Sequence, residues 1–380
     1  MILAFPGAIL PAWGYHLRPH YVTVGNYFLA VVAGVLLAVR ASGFTLRRRG
    51  ISGTLTIGCA FTALAFITLS FTAPPVNEWW RVPGLVGLGF GAGLLNTAIF
   101  QAMSPAYRLN PAETVNLAGI FFGLGSCLSP LFIAGTFNYY GVGTILRVAA
   151  LIPVLFAILY SRLTLVTYAD VSRRSVKEML REFTVPEAVL LSLLLFFHFG
   201  NEWSISGWLP LFLILRLGMS PVDALILLAA YWLSLMLGRI AVQAVLPWVS
   251  HAKLLFACVL CALFGCLVLT FTNNSFGAWL GTLLVGVGFA PIYPLVVEKI
   301  GGRFPLYHPG LFNGIFSVAL TGGLLAPATL GYAAEYLGIR IVTALPAVGT
   351  FVVLVLVLVI WTQAKLATLT SAKPNGDGPL

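Results

Sequence analysis

Glu202 is the one carboxylate of this chain that falls deep inside an apolar run. It belongs to the stretch FFHFGNEWSISGWLPLF, residues 196–212, in which Asn201, Trp203, Trp208, Gly200 and Gly207 crowd the same few turns. An acid at membrane depth costs about 2.5–3.5 kcal/mol on insertion scales, so it faces a cavity or a partner. Burial among apolar groups disfavours the charged form of an acid, which brings proton binding and release within reach. His198 lies one helical turn earlier on the same face and is placed to share a proton or a hydrogen bond. Two roles are open for Glu202, as a proton carrier or as a ligand for a solute hydroxyl. The plainer alternative is a hydrogen bond to a neighbouring helix, and for His198 it is packing.

Composition says what kind of molecule holds this stretch. Of 380 residues, 59% are hydrophobic and 8% are charged, against about 25% charged in a soluble domain. Apolar segments of 18 or more residues without period-two alternation exclude a β-barrel and define an all-α polytopic membrane protein. The net charge of +10 sits in short loops between apolar runs, so it reads as the positive-inside pattern rather than as a nucleic-acid surface. The five cysteines lie within apolar runs and read as packing thiols. No metal site, cofactor motif or catalytic motif is expected.

Runs of about 20 apolar residues, broken by Pro, Gly, Asn or charge, predict twelve spans in two sets of six. The boundaries expected are 1–160 for an N-terminal six-helix half, 161–186 for a connector, 187–365 for a C-terminal half and 366–380 for a disordered tail. Within the connector, VSRRSVKEMLREF (171–183) predicts a short amphipathic helix on the membrane surface, with Val176, Met179, Leu180 and Phe183 on one face. With the N-terminus inside, 16 of the 21 Lys and Arg fall on the cytoplasmic side. That leaves Arg18, Arg81, Arg147, Arg216 and Arg340 outside and predicts both termini in the cytoplasm. An inner (plasma) membrane location and a monomer are expected.

The chain also repeats itself. LVGLGF at Leu85–Phe90 recurs as LVGVGF at Leu284–Phe289, GIF at Gly119 recurs at Gly314, and Pro130 pairs with Pro327. Two parallel halves follow, related by an axis along the membrane normal. By the same offset Pro11 pairs with Pro210, so the first span, roughly Ile2 to Trp13, is short by about a dozen residues. The expectation is a start upstream of Met1, or else a stub.

The layout and the repeat resemble the major facilitator superfamily. Within it, GNEWSISGWLPLF (Gly200–Phe212), YWLSLMLGR (Tyr231–Arg239), GLLNTAIF (Gly93–Phe100) and TGGLLAP (Thr321–Pro327) are similar to segments of the fucose–proton symporter family, which includes fucose and glucose/galactose permeases. The resemblance implies a secondary or facilitative transporter of a small polar solute, a sugar, working by alternating access. It departs at the coupling acids, because Gly7 and Asn96 stand at the two positions where that family carries them. If a proton is coupled, Glu202, with His198, must carry it. Two rivals stay open at this level, an exporter of drugs or other solutes with the same fold and a non-transporting sensor or partner subunit.

Other polar groups at span depth complete the candidate site. Asn96, Gln101, Asn116, Asn201 and Asn313 are expected as hydroxyl partners, and Trp203 or Trp208 as a stacking face for a sugar ring. Tyr293 lies between Pro291 and Pro294, which predict a kink. Gly200 and Gly207 are expected to let the helix of Glu202 bend. Arg239, which matches a superfamily loop arginine, is expected as a gate residue at the cytoplasmic end of its span.

Overall fold

A backbone in lipid must satisfy its own N–H and C=O groups, and the long apolar runs do so as helices. The computed structural model describes the backbone of residues 2–165, 186–303 and 309–371, and no strand occurs among them. The helices are α1 (Phe5–Ile9), α2 (Tyr21–Phe71), α3 (Val82–Leu109), α4 (Pro111–Thr136), α5 (Val142–Arg162), α6 (Pro186–Leu217), α7 (Pro221–Val245), α8 (His251–Phe271), α9 (Ser275–Phe289), α10 (Ile292–Arg303), α11 (Pro309–Leu337) and α12 (Ile341–Ser371). A 3-10 turn, Glu78–Arg81, leads into α3. Ten segments of the described residues are long and apolar enough to cross a membrane.

One of these ten crosses twice. At 1.5 Å per residue the 51 residues of α2 would extend about 77 Å, more than twice a hydrocarbon core. Gly50, at φ 67° and ψ −171°, breaks it. The limb before Gly50 packs Val31 on Gly89 and Ala38 on Gly93, while the limb after it packs Gly58 on Gly91 and Leu69 on Gly84. One limb therefore runs parallel to α3 and the other antiparallel, so α2 is a hairpin of two spans. The segment AVRASGFTLRRRG (residues 38–50) is helical up to that single residue, and Arg48 lies over the Phe44 ring at 4.5 Å. Counting α9 and α10 as one broken crossing, eleven long spans follow the short α1. The span expected at Ile2–Trp13 is helical only over Phe5–Ile9 and continues in turns.

The repeated glycines are seats for close helix approach. A Cβ on Gly89 would lie 2.1 Å from the Val31 carbonyl, and one on Gly288 would lie 2.4 Å from the Ala262 amide nitrogen. In the first half α3 and α5 pack on α2; in the second, α8 packs on α9 and on α12, and α6 on α11 and α12. The halves meet along α2–α11, α4–α7, α4–α10 and α1–α6. On the outer side of α4, Leu117, Phe121, Leu124, Leu128 and Leu131 form an exposed apolar stripe at alternating steps of four and three. Such a stripe suits lipid, not water.

The expected connector helix at 171–183 lies outside the described residues. The C-terminal helix α12 runs to Ser371, past the expected start of the tail at residue 366.

Candidate functional site

The Glu202 stretch is unbroken helix within α6, in spite of Gly200, Gly207 and Pro210. The expected bend is thus replaced by close packing. Gly200 meets Gly322 and Ala326 of α11, and a Cβ on Gly207 would lie 2.9 Å from the Phe28 ring of α2. Gly7 of α1 meets the same place from the other side, where a Cβ would lie 2.4 Å from the Ser206 carbonyl. No acid fits at position 7, because the backbone of α6 fills the space.

Each polar residue of α6 takes its role from the face it occupies. Glu202 and His198 point into the second half, are 3% and 0% exposed, and bring Oε2 within 3.5 Å of Nε2. Neither that oxygen nor either ring nitrogen has a hydrogen-bond partner among the described residues. Around the pair stand Tyr231, whose hydroxyl donates to the Glu202 backbone carbonyl (3.3 Å), and Phe289, whose ring lies 5.6 Å from the imidazole. A buried acid with an unsatisfied oxygen is costly unless it is neutral or faces a cation.

Arg239 of α7 is a buried cation on a neighbouring helix, near enough for its charge to be felt at Glu202 but without an ion pair to it. Sequence position suggested a residue at the span end, but six residues of helix follow it and it is 5% exposed. Pro294 has no N–H, so the Ala290 carbonyl one turn earlier loses its helical partner, and Arg239 Nε donates to it at 3.3 Å. The guanidinium also rests on Gly119 of α4, where a Cβ would lie 2.0 Å from Nη1. Arg239 therefore reaches from the second half onto the first. One turn further on, Asn116 Nδ2 donates to Gln243 Oε1 across the same seam (3.0 Å). The Phe122 ring meets Trp232 edge-on at 5.5 Å.

The other candidates divide. Trp203 is half-buried and lines a small cavity between the halves with Leu3, Val32, Gly323 and Leu324, with room for about two water molecules. Trp208 is fully buried, donates Nε1–H to the Pro327 carbonyl (2.8 Å) and packs on Phe28, so it seals α2 against α6 and α11 rather than presenting a face to a solute. Asn201 faces α12 and donates to Thr350 Oγ1 (3.3 Å), inside its own half and away from the seam. Asn116 is engaged with Gln243. Tyr293 is half-buried beside Phe199, at the break between α9 and α10 that its flanking prolines predict. Asn96 is exposed on α3, and Gln101 lies half-buried on the next turns. Asn313 lies in α11, its side chain outside the described residues.

Gln243 and the glycine seat of Arg239 escaped the reading of the sequence. Their signal was weak: a glutamine four residues after an arginine, and a glycine in a motif repeated only in part.

Two packed helical bundles with a buried acid, a cation reaching across their seam and a small cavity between them define a membrane transporter fold. The match to solved structures agrees. The E. coli fucose:proton symporter aligns with TM-score 0.58 at 18% identity, over 94% of this chain and 97% of that one. A nucleoside transporter aligns with TM-score 0.67 at 11% identity, over 94% and 98%. The chain belongs to the Major Facilitator Superfamily, whose model matches residues 110–323. Among curated relatives, a glucose/mannose transporter of Bacillus subtilis (strain 168) is 22% identical over 80% of this chain and 76% of its own length. A glucose/galactose transporter of Brucella abortus is 25% identical over 42% of this chain and 39% of its own length. An uncharacterised MFS-type transporter of Yersinia pestis is 26% identical over 39% of this chain, and the match spans 38% of that protein.

Proposed function

We propose that this chain is a proton-coupled transporter of a small neutral sugar, working by alternating access of its two halves. The observation that carries the reading is the buried Glu202–His198 pair, unsatisfied at Oε2 and at both ring nitrogens among the described residues, in a half whose buried Arg239 touches the opposite half. A group so enclosed changes its charge only with a change in its surroundings, and Arg239 links those surroundings to α4. Glu202 takes the proton role rather than the hydroxyl-ligand role, because its carboxylate faces the interior of its own half while Trp203 lines the cavity between the halves. Sugar enters as the substrate class from the names of the glucose/mannose and glucose/galactose relatives and the fucose:proton symporter.

In this mechanism the solute settles between the halves against Trp203. Protonation of Glu202 relaxes the hold of its charge on Arg239. The seams α2–α11 and α4–α7 then act as the surfaces on which the halves rock. The Asn116–Gln243 bond and the Arg239–Gly119 seat hold the α4–α7 seam in the state described. The excess of Lys and Arg at one set of span ends supports an orientation with both termini cytoplasmic, and the proposal adds an inner membrane and a monomeric working unit. The test is uptake of a labelled sugar panel into proteoliposomes under an imposed pH gradient, with and without a protonophore. Accumulation that survives the protonophore unchanged sinks proton coupling, and the absence of uptake for every sugar sinks the substrate class.

A further inference from the structure

A second site lies at the end of the bundle where α2 begins. We propose that the basin there binds a sugar acid, a pyranose-sized ring carrying a carboxylate. The basin, open to solvent on one side, measures about 460 Å³, within the 300–1,000 Å³ common for small-molecule sites. It is built from the turn after α1 and the connection before α3, away from the Glu202 pair.

Its wall is rigid because its strongest charges are spent on the protein. Arg81 is 4% exposed and donates Nε to the Thr72 carbonyl (3.1 Å), Nη1 to the hydroxyls of Tyr15 (3.0 Å) and Tyr27 (3.1 Å), and Nη2 to the Val76 carbonyl (3.2 Å). The Glu78 carboxylate accepts from the Tyr15 hydroxyl and from Thr23 Oγ1, each at 3.2 Å. Trp13 is fixed edge-on against Tyr27, with the Arg81 guanidinium 5.3 Å from the centre of its ring.

What remains unspent is donor-rich. Trp13 lines the basin and is 5% exposed, while its indole N–H, without an acceptor among the described residues, is enclosed by protein and does not open onto the basin. The side chains of Arg18 and His20 stand exposed on the rim, without a hydrogen bond or ion pair among the described residues. A free guanidinium on the rim favours a carboxylate. Trp79, 58% exposed, adds a flat apolar face on which the C–H side of a sugar ring can lie. A simple anion uses the donors but leaves that face empty; a neutral sugar uses the face but leaves Arg18 without its anion. A sugar acid uses both.

The proposal does not depend on transport, since occupancy of this basin is read by binding alone. The experiment is calorimetric titration of the purified full chain in lipid nanodiscs with glucuronate, glucose, acetate and inorganic phosphate at matched ionic strength. Glucuronate is expected to bind, with Arg18→Ala and Trp79→Ala each weakening it at least fivefold. Both positions are exposed, and unchanged melting temperatures verify the fold. Glu202→Gln is expected to leave glucuronate binding intact, so failure here is distinguishable from failure of the transport reading. Glucuronate binding unmoved by both variants overturns the site. Acetate or phosphate binding as tightly as glucuronate reduces it to an anion site and overturns the sugar part. Glucose binding equally well, with the same loss in Trp79→Ala, overturns the carboxylate part.

Discussion

Gly119→Ala tests whether Arg239 really spans the two halves. In wild-type protein the new Cβ would lie 2.0 Å from Nη1, 2.7 Å from Cζ and 3.2 Å from Cδ of Arg239. The obstructed atoms belong to the far end of a flexible side chain, so the guanidinium moves and the helices stay. Moving it breaks the Nε bond to the Ala290 carbonyl, and hydrogen bonds to charged groups contribute about 1.5–3 kcal/mol. Against that loss, replacing a helical glycine by alanine gains about 0.5–1 kcal/mol. The net expectation is a destabilisation of about 0.5–2.5 kcal/mol. The decisive reading is the sign in a second background. With Arg239→Ala the obstruction is gone, only the alanine gain is left, and Gly119→Ala becomes stabilising by up to about 1 kcal/mol. Thermal unfolding of the four proteins of this double-mutant cycle in one detergent measures the coupling directly. An effect of the same sign and size in both backgrounds would refute the contact, and with it the route from Glu202 to the first half.

Other predictions follow from the same geometry. Asn116→Cys with Gln243→Cys, in a background cleared of the five native cysteines, is expected to cross-link under mild oxidation and to arrest uptake reversibly. Ready cross-linking with undiminished uptake would show that the α4–α7 seam does not move. Trp208→Phe removes the donor to the Pro327 carbonyl while keeping most of the buried ring, and should lower stability by about 1 kcal/mol in a melting assay. Gly89→Ala has no flexible neighbour to displace, because the obstruction is the Val31 backbone; a loss of about 1–3 kcal/mol is expected from overpacking. Burial first, and then the hydrogen bond with Tyr27, hold the Tyr15 hydroxyl well above its ordinary pKa of 10. The native state therefore keeps a proton that the unfolded chain releases above about pH 10. Stability from this group is full below pH 10 and falls as pH rises above it. Tyr15→Phe should flatten the alkaline limb of a melting-temperature profile, and an unaltered limb would count against the assignment.

Much of the architecture was legible because membrane helices announce themselves locally. Span count, the glycine run of α3, the proline break beside Tyr293 and the isolation of Glu202 all rest on runs of ten to twenty residues. Facing was not legible where the partner is distant in sequence. Trp203 and Trp208 are five residues apart on one helix, yet one lines the cavity and the other is locked to Pro327. Asn201 adjoins Glu202 but turns to Thr350, 149 residues away. Arg239 read as a gate residue at the span end because motifs place it by residue type, whereas the orphaned Ala290 carbonyl and the bare Gly119 backbone draw it inward. The continuous helix from Tyr21 up to Gly50 has a simpler cause: that segment holds no proline and little to stop a helix.

If Glu202 carries the coupled proton, sugar accumulation in proteoliposomes under an inward proton gradient depends on its carboxylate. Wild-type protein should concentrate a labelled hexose and lose the gradient-driven part when a protonophore is added. Glu202→Gln, checked by its melting temperature for an intact fold, should still equilibrate the hexose downhill but fail to concentrate it. Accumulation by Glu202→Gln equal to wild type, and equally abolished by the protonophore, would contradict the account.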